Sequence, residues 1–346
     1  MVPTAKRELV HAQDQWSITQ FSAALTNALA GSGPALGIGN ILSTSVSTDV
    51  ALVVTTSGST GTPKEIHLSA AAVTASAKAA NTFLKADAGN SWSLLLPLTH
   101  IAGINVLVRA LLLKSEVLDF RNNSQYTKAD FTAIVPTQLN RALTADHQLL
   151  KHLQEAKAVL VGGAPLAESD KQRAHANGIN VITTYGMSET SGGCIYNGTP
   201  LDGVAVKIVE NIIYLRGPML AQVPLVDGWL KTTDIGRLEN GKLAVFGRAD
   251  DQIISGGEKI SLSVIEQALS ENFESIFLAF AKPDQEWGER LCIATTLELS
   301  QDTISHFLKN RFGGYATPKE IHKVDEIPLI GIGKPDRAKL IERLAK

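Results

Sequence analysis

Between residues 50 and 185, short β-branched or leucine-rich runs alternate with helical segments, and this alternation restricts the fold more than any other feature. The runs "ALVVTT", "SWSLLLPL", "EVLDF", "FTAIVP", "AKAVLVGG" and "INVITTY" predict strands. Between them, "SAAAVTASAKAANTFLKA", "AGINVLVRALLLKS", "TQLNRAL" and "LAESDKQRAHANG" predict helices, the first capped by Ser69 and the last closed by Gly178. Strands and helices at this spacing imply a layered α/β domain with a mainly parallel sheet.

Beyond residue 200 the texture changes to closely spaced short strands, "VAVKIVENIIYLRG" and "GRLENGKLAVFGR", with Asn240-Gly241 as a hairpin turn. After "GRADDQIISGGEK" it changes again, to helices at "SVIEQALS", "ISHFLKNRF" and "PDRAKLIERLAK" and strands at "SIFLAFA" and "RLCIATTLEL". The expected architecture is therefore α/β: a large N-terminal layered domain with a β-rich subdomain, residues 1–249, followed by a small α+β C-terminal domain, residues 250–346. The Gly/Ser/Ala-rich segment near residues 29–48 reads as loop.

Composition excludes several classes of partner. The net charge is −2 with basic residues scattered, which argues against nucleic acid. "MVPTAKRELVHAQDQW" has no apolar h-region, and the longest apolar stretch, "INVLVRALLL", is interrupted by Arg109, so neither a signal peptide nor a membrane span fits. Cys194 and Cys292 lack metal-like spacing. The expectation is a cytoplasmic protein acting on a small molecule, with a homodimer left open.

Against that background "TTSGSTGTPKEIHL", residues 55–68, exposes unusual amounts of bare backbone. Gly58 and Gly61 let successive N–H groups turn inward as an anion-binding nest, and Ser57, Ser59, Thr60 and Thr62 add hydroxyls. A Walker-A loop is excluded, because Pro63 precedes Lys64 and Glu65 follows it where a magnesium-binding hydroxyl would be needed. The apolar strand before the loop and a helix after it make phosphate binding the better reading over a plain surface turn.

Four further stretches carry chemistry. "VGGAPL" and "TTYGMSET" each lie where a predicted parallel strand runs out, the usual ligand edge of an open α/β sheet. There Tyr185 suits stacking on a flat heterocycle, Gly162 and Gly163 admit a purine edge, and Glu189 is a hard oxygen ligand for Mg2+. In "LKTTDIGRLENG" Asp234 is expected in a turn between strands, where a carboxylate could accept both hydroxyls of a ribose or merely bond its own backbone. "GRADDQIISGGEKI" places Arg248, Asp250 and Asp251 at the domain boundary ahead of Gly256 and Gly257, as a solvated linker or a hinge. "IPLIGIGKPDRAKL" carries Lys334 on a glycine-flanked loop, a movable charge for phosphate or carboxylate or an ordinary surface lysine.

In this order the five stretches resemble the adenylate-forming superfamily of acyl-CoA synthetases, luciferases and nonribosomal adenylation domains, over roughly residues 50–346. The resemblance implies that Thr56, Ser57, Gly58, Ser59, Thr60, Gly61 and Lys64 hold the ATP phosphates and that Glu189, beside Ser188, holds Mg2+. It implies an adenine site of Gly162, Gly163, Ala164, Pro165, Tyr185, Gly186 and Met187, with Asp234 and Arg248 on the ribose. Lys334 would bridge the substrate carboxylate and the α-phosphate. The small domain would be mobile about Asp250, bringing the "SGGEK" face with Gly256 and Gly257 to the site where coenzyme A attacks. Departures from the family pattern are Glu65 and Ile330, in place of a glycine and a threonine, Ser188 in place of a threonine, and a front end of only about fifty residues before the phosphate loop.

Within the superfamily, "LLLPLTHIAGINVLVRALL", "VPTQLN" and "YGMSETSGGCIYNGTPLDGV" look most like the o-succinylbenzoate:CoA ligases of menaquinone biosynthesis. Such a substrate carries a second carboxylate that needs a cation in an apolar pocket. Arg109 is the candidate, with structural pairing as the alternative; His100 would line the acyl pocket, and Thr137 and Gln138 are candidates for the ketone or carboxylate. Another aryl- or acyl-CoA ligase, an enzyme loading a carrier protein, and a catalytically silent nucleotide-binding regulator are the other readings.

Overall fold

The computed structural model of the chain describes residues 6–13, 15–56, 64–123, 125–273, 275–330 and 334–344. The N-terminal part builds two sheets where one was expected. The first joins β1 (Lys6–His11), β2 (Ala35–Ile38), β3 (Ser45–Ser47), β4 (Val50–Thr56) and β5 (Lys64–Ser69) in the order β3-β1-β2-β4-β5. Its three central strands are parallel and both edges antiparallel. Helix α1 (Ile18–Ala30) makes the crossover from β1 to β2. It opens on a capping box in which Gln20 N donates to Ser17 Oγ at 3.2 Å and Ser17 N donates to Gln20 Oε1 at 2.9 Å.

Two expectations fail here for identifiable reasons. The segment near 29–48 is not all loop: it contains β2 and β3, and β2 escapes notice because Ala35, Leu36, Gly37 and Ile38 are all buried, which removes the period-2 signature of a half-exposed strand. Nor does a helix directly follow the stretch expected to bind phosphate. "KEIHLS" is strand β5, paired antiparallel with β4 through Thr56↔Lys64 and Leu52↔Leu68, with Ile66 and Leu68 buried on alternate positions. β4 and β5 are therefore antiparallel neighbours, and the helix begins only after Ser69.

The second sheet contains β6 (Trp92–Leu94), β7 (Val117–Asp119), β8 (Phe131–Ile134), β9 (Ala158–Val161), β10 (Val181–Met187), β11 (Gly192–Tyr196) and β12 (Thr199–Pro200), ordered β12-β11-β10-β9-β8-β6-β7. The strands from β10 to β7 run parallel, and β11 and β12 turn back antiparallel. Around the sheet lie α2 (Ala70–Leu84), α3 (Ile101–Leu113), α4 (Pro136–Thr144), α5 (His147–Glu155) and α6 (Glu168–Ala176). As expected, Ser69 caps α2, accepting from Ala72 N at 3.1 Å. One core cluster takes Leu52 and Leu68 from the first sheet, Trp92 and Leu94 from the second, and Val73, Ala77, Ile104 and Leu107 from α2 and α3, so these helices tie the two sheets together. Each fully buried leucine of this cluster contributes about 1.5–3 kcal/mol.

A third, antiparallel sheet follows, β13 (Ala205–Val209), β14 (Ile212–Arg216), β15 (Leu230–Glu239) and β16 (Lys242–Arg248), in sequential order. Asn240 and Gly241, with φ of 50° and 77°, make the tight turn between β15 and β16. The remaining residues form β17 (Gln252–Ser255), β18 (Glu258–Ser261), α7 (Leu262–Phe273), β19 (Phe277–Asp284), β20 (Gly288–Thr295), α8 (Gln301–Phe312), β21 (Glu320–Lys323), the hairpin β22 (Leu329–Ile330) with β23 (Lys334–Pro335), and α9 (Arg337–Leu344). Core clusters in this last part draw only on residues from Ile253 onward, and those before it end at Leu243. Packing thus changes hands across the short segment between Arg248 and Gln252.

Candidate active site

Ser57, Gly58, Ser59, Thr60 and Gly61 lie outside the described residues, but their frame is defined: Thr56 ends β4 and Lys64 opens β5 directly opposite it. Glu65, anomalous in sequence, has a structural task next to that frame. Its Oε1 accepts from Leu42 N at 2.5 Å and Ser43 N at 3.1 Å, and its Oε2 accepts from Ser43 Oγ at 2.5 Å. Burial works against ionisation, but these bonds prevail and hold the carboxyl below its usual range. Glu65 thereby clamps the segment after β2 to the edge of the β4–β5 pair, a task a glycine could not perform.

The loop that follows β9 and the outer half of β10 both lie past the last parallel pair of the two strands, Val161↔Thr183. Gly162, Gly163, Ala164 and Pro165 form the loop after β9. At Gly162 a Cβ would stand 2.1 Å from Thr184 Oγ1, so the loop hugs β10 more closely than any side chain permits. Tyr185 was expected as the last residue of its strand, with Gly186 and Met187 just past it; the strand runs on through Met187, because β11 folds back to pair with all three. A Cβ at Gly186 would meet Gly192 O at 2.1 Å and Gly193 Cα at 2.7 Å, both backbone atoms that cannot step aside. Gly186→Ala is therefore expected to cost about 1–3 kcal/mol, read as a fall of about 2–4 °C in Tm per kcal/mol, together with weaker ATP binding in titration.

Asp234 is corrected from turn to strand. It lies within β15, opposite Arg248 of β16, and strand alternation turns its side chain inward to 8% exposure. Tyr185 Oη donates to Asp234 Oδ2 at 2.6 Å, and Thr232 Oγ1 accepts from Asp234 N at 3.0 Å. Arg248 Nη1 stands 3.9 Å from Asp234 Oδ1. Burial, and then the adjacent Asp234 charge, push the Tyr185 hydroxyl far above its ordinary pKa, so it stays protonated as a donor. The result is an oriented carboxylate beside an aromatic ring, suited to a ribose next to a flat base.

Ser188 and Glu189 begin the 3-10 turn Ser188–Thr190, and the turn is anchored at its far end. Ser191, at φ 52°, offers its carbonyl to Asn105 Nδ2 at 2.8 Å and Ser76 Oγ at 3.1 Å, while its own Oγ donates to Met219 O at 2.8 Å. The Glu189 carbonyl accepts from Ala221 N at 2.8 Å. Helices α2 and α3 and the loop before β15 therefore fix where Glu189 stands. Asn105 and Ser76 were not singled out in sequence; the signal available for Asn105 was an amide four residues before Arg109 on an otherwise apolar helix.

Arg109 shares that face of α3. It is 4% exposed, with Nη2 donating to Tyr196 Oη at 3.1 Å and the guanidinium carbon 5.4 Å from the centre of the Trp92 ring. Its Nε is buried without a partner, and among the described residues no carboxylate forms an ion pair with it. His100 is the N-cap residue of α3, its Nδ1 2.9 Å from Thr99 Oγ1. Thr137 is exposed in the first turn of α4. Gln138 is spent on backbone: its Oε1 accepts from Val135 N at 3.1 Å and its Nε2 donates to Leu95 O at 3.2 Å.

Beyond β16, Arg248 forks the Asp250 carboxylate through Nε and Nη2, both at 2.7 Å. Gly256 and Gly257, at φ 59° and 86°, form the turn between β17 and β18. Lys334 opens β23, its backbone paired with Ile330. No helix among the described residues is long and apolar enough to cross a membrane.

The chain matches the AMP-binding enzyme family over residues 5–216 and the AMP-binding enzyme C-terminal domain over 275–334. A probable 2-succinylbenzoate–CoA ligase of Mycobacterium tuberculosis is 38% identical over 86% of this chain and 85% of its own length. A 2-succinylbenzoate–CoA ligase of Haemophilus influenzae is 30% identical over 86% of this chain and 71% of its own. Among solved structures, an Escherichia coli MenE variant with bound OSB-AMS superposes with a TM-score of 0.74 at 25% identity, covering 96% of this chain and 81% of that one. ATP-bound MatB from Rhodopseudomonas palustris gives a TM-score of 0.78 at 17% identity, covering 96% and 82%. Family matches to both parts of the chain, and relatives aligned over most of its length, establish that it belongs to the AMP-binding, adenylate-forming enzymes.

Proposed function

We propose that the chain is an ATP-dependent acid:CoA ligase that activates o-succinylbenzoate, first as an acyl adenylate and then as a thioester. The observation that carries the substrate is Arg109: a buried guanidinium on a largely apolar helix, with no carboxylate paired to it among the described residues. A buried charge of this kind is costly unless an anion reaches it, and a dicarboxylic acid brings one that the reaction leaves intact. The names of the aligned relatives support the same substrate.

In the first half-reaction an oxygen of the reacting carboxylate attacks the α-phosphorus, the bond to the bridging oxygen breaks, and pyrophosphate leaves. Tyr185, Gly162 and Asp234 hold the adenosine, the loop ahead of Lys64 wraps the phosphates, and Lys334 offsets the charge between carboxylate and α-phosphate. Glu189, on the turn that Ser191 anchors, would supply one carboxylate to a magnesium ion carried in on ATP, whose phosphates furnish further oxygen ligands. Bound there, it would neutralise phosphate charge. In the second half-reaction the thiolate of coenzyme A attacks the acyl carbon and AMP departs, with the small domain turned about Asp250 so that the Gly256–Gly257 face replaces Lys334.

ATP-dependent pyrophosphate release across a panel of carboxylic acids, with mass spectrometry of the thioester formed, tests this directly. Turnover is expected with o-succinylbenzoate and to collapse with aromatic acids lacking the second carboxylate. Equal turnover of monocarboxylic acids would replace the substrate, and adenylate transfer to a carrier protein in preference to coenzyme A would replace the acceptor.

A further inference from the structure

Three residues beyond Lys334, Arg337 opens α9 with its guanidinium engaged in three directions. Nη1 donates to Asp251 Oδ1 at 2.5 Å, Nη2 to Glu266 Oε1 at 2.7 Å, and Nε to the carbonyl of Ala279 at 2.7 Å. The acceptors come from different elements: Asp251 ends the 3-10 turn after Arg248, Glu266 is on α7 and Ala279 on β19. Both carboxylates are themselves fixed. Asp251 Oδ2 accepts from Ser263 N at 3.0 Å, and Glu266 Oε1 accepts from Ala279 N at 2.8 Å. A planar guanidinium held on three donors by oriented acceptors has little freedom left.

What this arginine holds is the base of the lysine hairpin. Lys334 lies on β23, Asp336 N donates to Pro328 O at 2.7 Å across the hairpin's foot, and Arg337 follows at once. On the far side of the same segment Arg248 forks Asp250 and approaches Asp234. Neighbouring carboxylates, Asp250 and Asp251, are thus claimed by different arginines, one on the nucleotide side and one at the root of the lysine strand.

We propose that Arg337 is a positioning residue for the adenylation step: it locks the base of the Lys334 hairpin to the segment that starts at Asp250, so that rotation there and delivery of the lysine are one rigid displacement. This rests on the reading of Lys334 as the lysine of the first half-reaction. A residue that merely stabilises the small domain would act on both half-reactions alike. One that positions Lys334 acts on the half that uses it.

The test measures both halves separately in the full chain: pyrophosphate release with ATP and o-succinylbenzoate, and thioester formation from supplied o-succinylbenzoyl adenylate and coenzyme A. Arg337→Ala is expected to lower kcat of adenylation about 100-fold, the scale of an ångström-sized misplacement, with KM for ATP and the thioester half each changed less than about threefold. Arg337→Lys, which keeps one ionic arm, is expected to recover most of the loss. Asp251→Asn takes the charge from the arm to the hinge segment and sets an amide NH2 against either Arg337 Nη1 or Ser263 N, and it gives the same split if Arg337→Ala does not fold. Equal losses in both halves, or adenylation untouched, overturn the proposal. Lys334→Ala run alongside separates the two readings: if it adenylates normally the role of Lys334 falls, whereas if it shows the split and the Arg337 and Asp251 variants do not, only the proposal about Arg337 falls.

Discussion

Lys334→Ala is expected to slow adenylate formation by orders of magnitude while leaving ATP binding nearly intact. The reacting carboxylate and the α-phosphate are both anionic, so their approach concentrates negative charge at one point, and a charge placed there is worth more in the transition state than in either bound reactant. Losing one such donor lowers the rate by on the order of 10²–10³-fold. ATP affinity should move by less than about twofold, because in the proposed site Asp234, Tyr185 and the β4–β5 hairpin would bind the nucleotide without it. Isotope exchange between pyrophosphate and ATP reads the rate, and equilibrium titration with a non-hydrolysable ATP analogue reads the binding. A fall in both by the same factor would assign Lys334 to nucleotide binding, and exchange at the parent rate would remove it from the chemistry.

Legible in sequence were those positions of the proposed site where backbone freedom or charge stands out from the local pattern. Glycines at 162 and 186 permit contacts closer than a Cβ allows, and Asp234, Arg248 and Glu189 carry charge in otherwise ordinary strand and turn segments. Local periodicity placed α2 and α3 well because their apolar faces are long. It failed for β2 and β5, which are short, and in β2 burial on both faces erased alternation. Invisible in principle were contacts set by tertiary packing: Asn105 and Ser76 meeting at the Ser191 carbonyl, Glu65 reaching Ser43, Arg337 bridging Asp251 and Glu266. Their partners are distant in sequence, so only the folded topology brings them together. The case of Glu65 is instructive, since it read as a flaw in a phosphate loop and is instead a brace for its neighbour.

Arg109 offers the sharper test, because its two readings predict opposite signs. A guanidinium in a core stabilises a fold when its hydrogen bonds and counter-charge offset desolvation; here a tyrosine hydroxyl and the face of Trp92 are its partners, and Nε has none. If Arg109 is there for the substrate, the free protein carries an uncompensated cost that binding relieves. Arg109→Met, which fills much of the same volume without charge, should then leave Tm at or above that of the parent. The same change should weaken use of o-succinylbenzoate by about 3–4 kcal/mol, on the order of 10²–10³-fold in kcat/KM, since the second carboxylate would be buried unpaired. KM for ATP should stay within about twofold. An analogue lacking the second carboxylate supplies the control: its kcat/KM should barely respond to the substitution, making the coupling between charge and carboxylate the measured quantity. Thermal shift adds a reading independent of turnover, because o-succinylbenzoate stabilises the parent by mass action and should lose that effect in the variant. A drop in Tm with equal damage to both acids and to ATP would return Arg109 to the core as a structural partner of Tyr196.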